Sequence, residues 1–213
     1  MGMRDSSNTL LSDSVQPASS LAERLLRPRI ATRIGWLDAA LGGGLAPGEL
    51  SEWGLPWGHG GRELIVAILA AVMRTDRALW IQTGRQISIY PPAWAARGID
   101  LQRIRFTHSR HPLKELLPLF TEPFFATIVI DDDERVLRRA DGAFLAHQAR
   151  SLKCLILLLR DGRLRAEQGN VWARFRGNVQ RVVKTEQMTL EILRGGAPRP
   201  ICFDLQSLQE VPP

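Results

Sequence analysis

The feature that most constrains this chain is a run near its middle third that reads strand, glycine turn, buried helix. Glu49 to Trp53 has the apolar character of a short strand. It enters Gly54-Leu-Pro-Trp-Gly-His-Gly-Gly61, and Glu63 to Arg74 continues as an almost wholly apolar stretch of helical length. A helix apolar on every side is covered on every side, so it packs in the interior against a sheet. Four further strand patterns follow at Ala78–Thr83, Arg103–Thr107, Ala126–Asp131 and Lys153–Leu159, with helical patterns at Pro92–Arg97, Pro112–Thr121 and Glu134–Ser151 between them. Alternation of this kind predicts a parallel sheet with right-handed crossovers and helices on its faces. From Gln180 the style changes, and Gln180–Thr185, Thr189–Leu193 and Ile201–Leu205 succeed one another without helices, as antiparallel strands added at a sheet edge would.

A length of 213 residues suits one well-buried core rather than two. The expected organisation is a Ser-rich tail over 1–28 with a short helix at Leu21–Arg27, a domain over 29–205, and a tail over 206–213. No apolar run approaches the ~20 residues of a membrane span, and Met1 to Leu11 offers no signal-peptide core, so a cytoplasmic protein without membrane contact is expected. The two cysteines, Cys154 and Cys202, fall in strand-like runs and are expected as buried free thiols. His108 and His111 lack a third ligand nearby, so no metal is expected.

The formal net charge of +6 favours a polyanionic partner, nucleic acid first, although Arg-rich composition alone also produces basic proteins. Lysine occurs only at Lys114, Lys153 and Lys184. That distribution matters because a phosphate-binding loop of the form G-x-x-x-x-G-K-[ST] uses lysine on the β- and γ-phosphates and a hydroxyl on Mg²⁺. Here Gly58-His-Gly-Gly-Arg-Glu63 stands in its place, and no shift of alignment recovers a lysine upstream of Lys114. Gly58, Gly60, Gly61 and Arg62 remain candidates for a residual anion cradle, or for a structural relic packed by Trp53, Pro56 and Trp57. The strand Trp80-Ile-Gln-Thr ends without a carboxylate, leaving Gln82 or Gly84 where a water-activating base would stand. Asp131 closes the strand TIVID as a candidate metal carboxylate, and Asp131–Asp133 equally suit the N-cap of a helix starting near Glu134. No catalytic residue and no cofactor are assigned.

The run IGWLDAALGGGLAPGELSEWG at Ile34–Gly54 resembles the segment before the nucleotide loop of RecA and its relatives. The likeness continues in degraded form through the glycine loop, ALWIQT, TIVIDDD and KCLILLLR, over about Arg29–Leu205. Small basic proteins with this preface resemble the ImuA family, RecA-like accessory proteins of damage-induced mutagenesis. The resemblance implies a RecA-like core, no ATP turnover, and work beside an inactive Y-family polymerase homologue and an error-prone replicative polymerase, with RecA itself a further partner. The related division inhibitor SulA is the alternative, acting by protein–protein binding alone.

In RecA-like proteins DNA-contacting loops follow the two later core strands. By that resemblance the DNA site falls on Arg160, Arg163, Arg165, Arg174 and Arg176 with Trp172, a pattern suited to phosphate contacts and base stacking on single-stranded DNA. The competing reading packs Val171, Trp172 and Phe175 on the sheet and leaves the arginines as a solvated face. Arg135, Arg138 and Arg139 extend the patch. The termini, Leu21–Leu26 and Gly195–Pro213, are the expected protein-docking segments.

Overall fold

A computed structural model describes residues 28–73, 76–84, 89–132, 135–182, 185, 187–197 and 199–208. The expected helix at Leu21–Arg27, and the residues Asp133 and Glu134, lie outside these. The chain builds α1 (Gly35–Leu41), β1 (Leu50–Gly54), α2 (Gly61–Val72), β2 (Ala78–Gln82), α3 (Pro91–Ala95), β3 (Ile104–His108), α4 (Pro112–Glu115) and α5 (Leu117–Thr121). It continues through β4 (Thr127–Asp132), α6 (Asp141–Leu152), β5 (Leu155–Arg160), β6 (Phe175–Arg181), β7 (Gln187–Arg194), β8 (Ile201–Asp204) and a 3₁₀ turn at Leu205–Leu208. The strands form one eight-stranded sheet in the order β3-β2-β4-β5-β1-β6-β7-β8. β1 to β6 pair in parallel, and β7 and β8 add antiparallel at one edge. The expected architecture is therefore the observed one.

Alternation along the strands sorts the core into two layers. Trp53, Trp80, Val129, Leu155, Leu157 and Leu159 face α1 and α2, whereas Leu50, Leu79, Ile128, Ile130, Ile156 and Leu158 face α5 and α6. The same alternation splits the end of β4. Asp131 follows Val129 onto the α2 face, and Asp132 follows Ile130 onto the α6 face.

Four local expectations are corrected. The helix expected over Pro112–Thr121 is two short ones parted at Leu116 (φ −116°), because a continuous helix would set the ring of Pro118 against the carbonyl of Lys114. The helix expected from Glu134 begins at Asp141, since Asp132 accepts the N–H groups of Val136 and Leu137 and Asp141 accepts that of Arg138, holding 136–138 in turns. β6 begins at Phe175 rather than Gln180: Arg176 and Asn178, poor strand formers by composition, are buried in specific polar contacts. Finally, the packed chain runs on to Leu208, which is buried in the core.

Cys154 is buried, as expected, but Cys202 is exposed, because alternation in β8 turns Phe203 inward and Cys202 out. Burial pushes the Cys154 thiol up to about 11. A thiol reagent at pH 8 will label Cys202 rapidly and Cys154 only after denaturation; two fast thiols in the native protein would contradict this packing.

Candidate nucleic-acid interface

The parallel strands β1 to β5 end at the same edge of the sheet, and the loops that follow them carry the polar chemistry. On the α2 side of that edge lies the glycine loop. Gly60 adopts φ 74° at the N-cap of α2, a left-handed conformation that favours glycine, and a Cβ there would stand 3.3 Å from the Leu205 side chain. Arg62, in the first turn of α2, reaches across to β4. Its guanidinium grips the buried Asp131 carboxylate, with Nη2 2.7 Å from Oδ1 and Nε 3.0 Å from Oδ2. It also donates to the carbonyl of Leu55 at 3.3 Å and lies over the Trp57 ring, 4.4 Å from the centroid. The next side chain, Glu63, pairs with Arg97. Gln82 stands beside Asp131 in the strand register.

These residues do not fit a magnesium–triphosphate. The carboxylate that would hold the metal is already paired with a forked cation, and such a pair satisfies both carboxylate oxygens at once. The loop carries no lysine and no hydroxyl in the first turn of α2. Trp57 of the expected apolar packing is 41% exposed and stacks on Arg62, while Trp53 is fully buried.

On the α6 side of the same edge, four charged side chains meet in the interior. Glu52 of β1 accepts from Arg160 Nε at 3.3 Å and from Arg176 Nε at 3.0 Å, and Arg160 also pairs with Asp132. All four are less than 10% exposed. The Asp132 carboxyl is pushed above the usual carboxylate range by burial, opposed by Arg160 and by the N–H groups of Val136 and Leu137. Both arginines also hold backbone. Arg160 donates to the Leu137 carbonyl at 2.8 Å, and Arg176 donates to the Arg165 carbonyl at 3.0 Å. A Cβ at Gly169 would fall within the Arg176 guanidinium, so glycine alone lets that side chain pass.

Above this cluster opens a cleft of about 530 Å³, walled by Arg135, Arg139, Arg160, Arg163 and Arg165, with Glu52 the one carboxylate among its described lining residues. Asn178, buried, staples the loop after β5 by accepting from Leu164 N–H at 2.7 Å and donating to its carbonyl at 3.1 Å. Glu191 accepts from Asn178 and from Arg163, and those two contacts hold its carboxyl below the usual range. Arg135 donates to the Asp161 carbonyl, and Asp161 in turn accepts the Trp57 N–H at 2.8 Å, joining the cleft to the glycine loop. Asn170, 4% exposed, also lines the cleft.

The six residues expected to bind DNA separate into three groups. Arg163 and Arg165 are exposed on the cleft wall. Arg160 and Arg176 are corrected: their guanidiniums are buried on Glu52 and Asp132, so they shape the cleft rather than meet solvent phosphates. Trp172 and Arg174 are exposed but do not line the cleft. The Arg174 N–H bonds the carbonyl of Leu50, the first residue of β1, so Arg174 sits at the opposite edge of the sheet, while the Trp172 N–H bonds the Asn170 side chain. Phe175 packs on Trp53 in the core. Arg135 and Arg139, read only as extending the patch, belong to the cleft itself, whereas Gln168 and Asn170 carried no signal beyond lying in a polar loop.

The chain matches no protein-family model and no curated protein. Among solved structures it is similar to the RadB recombinase, at a TM-score of 0.68 and 15% identity, covering 84% of this chain and 97% of that one. The fold is thus RecA-like: a mostly parallel sheet with helices on both faces and antiparallel strands at the C-terminal edge.

Removing Glu52 leaves two buried arginines facing each other. Glu52→Ala is therefore expected to cost about 3–5 kcal/mol in urea unfolding, the scale of a broken buried ion pair. A loss under about 1 kcal/mol, the size of an exposed pair, would show that the cluster is solvated.

Proposed function

We propose that this chain is a non-catalytic RecA-like accessory protein that binds DNA, single-stranded by preference, during damage-induced translesion synthesis. The observation that carries the reading is the Arg62–Asp131 pair standing where a metal–nucleotide would be held, with an arginine-lined cleft open beside it. An enzyme that cycles ATP needs that carboxylate free for the metal and a lysine on the phosphates; here an internal cation does the neutralising. The cleft wall offers Arg135, Arg139, Arg163 and Arg165 as exposed cations. Arginine forks suit phosphate, and counterion release supplies the driving force.

The role in translesion synthesis, beside an inactive Y-family polymerase homologue and an error-prone replicative polymerase in the cytoplasm, rests on the resemblance of Ile34–Gly54 and the segments after it to the ImuA family. The similarity to a recombinase supports a nucleic-acid partner.

Fluorescence anisotropy with single- and double-stranded oligonucleotides across a salt series tests the proposal. Binding is expected to favour the single strand, to weaken with salt, and to be indifferent to ATP and Mg²⁺. Arg163→Ala with Arg165→Ala should flatten the log–log salt slope by about 1.4, at ~0.7 per phosphate contact. Binding that requires ATP, or a double variant with the parent's slope, would overturn the assignment. So would an absence of binding at low salt, which turns attention to a division-inhibitor role through protein contacts.

A further inference from the structure

The arginine cleft does not end at its own wall. Leu137 lines it on one side, and the same Leu137, with Val136 and Asp141, lines a second recess of about 150 Å³ on the other. The far wall of that second recess is Arg110, His111 and Lys114, from the turn after β3 and the start of α4. All three side chains are exposed. Resting on the reading above, we propose that the strand bound in the arginine cleft continues over the Leu137 ridge into this recess, so that Arg110 and Lys114 contact phosphates beyond those held by Arg163 and Arg165.

Sheet topology supplies the path. The cleft lies at the end of β5, the ridge follows β4, and Arg110 follows β3. In the order β3-β2-β4-β5 these ends are three strand spacings apart, about 14 Å at ~4.8 Å each. Because the four strands are parallel, all these loops emerge on one edge, and a chain laid along that edge crosses them in turn. Among the described residues of the ridge, Arg135, Arg138 and Arg139 are exposed along it. The Asp141 carboxylate beside them is engaged by the Arg138 N–H at 2.7 Å. Across the groove, Glu115 is tied to the Ser109 hydroxyl, which with the nearby cations holds its carboxyl below the usual range. A track of cations at successive strand ends fits an extended polyanion better than a compact anion, which one cleft would satisfy.

Length dependence tests this. Arg110→Ala with Lys114→Ala is compared with the parent on oligothymidylates of about 3 nucleotides, which at ~3.4 Å each fall short of the recess, and of about 20, which pass well beyond it. The short strand, satisfied by the arginine cleft, should bind both proteins alike. The long strand should bind the variant several-fold more weakly, with a salt slope shallower by about 1.4. Arg199→Ala, an exposed change on the loop after β7 at the opposite edge, should leave both lengths unaffected. If the double variant matches the parent on both lengths while the parent still binds, the extended track is wrong and the cleft reading survives. If it loses both lengths equally, the second recess is part of one compact site and the track is again wrong. A parent that binds neither strand removes both proposals, and an acidic protein surface becomes the partner to seek.

Discussion

Everything at the working edge of this protein hangs on the buried cluster of Glu52, Arg160, Asp132 and Arg176. Charges in an interior carry a large desolvation cost, which is offset only when every carboxylate oxygen and guanidinium group finds a partner. The cluster meets that demand by enlisting backbone as well as side chains: the carbonyls of Leu137 and Arg165, and the N–H groups of Val136 and Leu137. Two loops that would otherwise be free are thereby fixed to β1, β4, β5 and β6. The arginines that remain exposed, Arg135, Arg139, Arg163 and Arg165, are displayed on those fixed loops. Buried arginines position the loops that carry the exposed ones.

The two aspartates that end β4 show how one residue of offset assigns two jobs. Side chains of adjacent residues in a strand point to opposite faces. Asp131 therefore meets Arg62 on the α2 side, beside the glycine loop, and Asp132 meets Arg160 on the α6 side, where it anchors the cleft. The two sides stay connected through Asp161, whose carboxylate accepts from Trp57 and whose carbonyl accepts from Arg135. The Arg62–Asp131 pair ties the first turn of α2 to the end of β4. The loop is braced by the protein itself.

Much of this was legible in the sequence because it depends on local pattern. The strand–glycine loop–helix run, the alternating strands and the antiparallel tail follow from periodicity, and the absence of lysine before Lys114 is a plain count. The breaks were harder to see. The division of Pro112–Thr121 at Leu116 could have been read from Pro118, but the late start of α6 depends on where the carboxylates of Asp132 and Asp141 spend their hydrogen bonds. β6 was hidden because Arg-Phe-Arg-Gly-Asn has loop composition, and only burial against Glu52 and Leu164 makes it a strand.

The sequence by itself determined the fold class, the absence of lysine from the glycine loop and the presence of arginine-rich segments after the core strands. The tertiary structure alone decided which arginines face outward. Arg160, Arg163, Arg165, Arg174 and Arg176 look alike along the chain, yet two are buried in ion pairs, two wall the cleft and one stands at the opposite edge. The reason is physical: a guanidinium is placed by the carboxylate it pairs with and the face its strand turns it to. For Arg160 and Arg176 that carboxylate is Glu52, more than a hundred residues away in the chain and adjacent only once the sheet is formed.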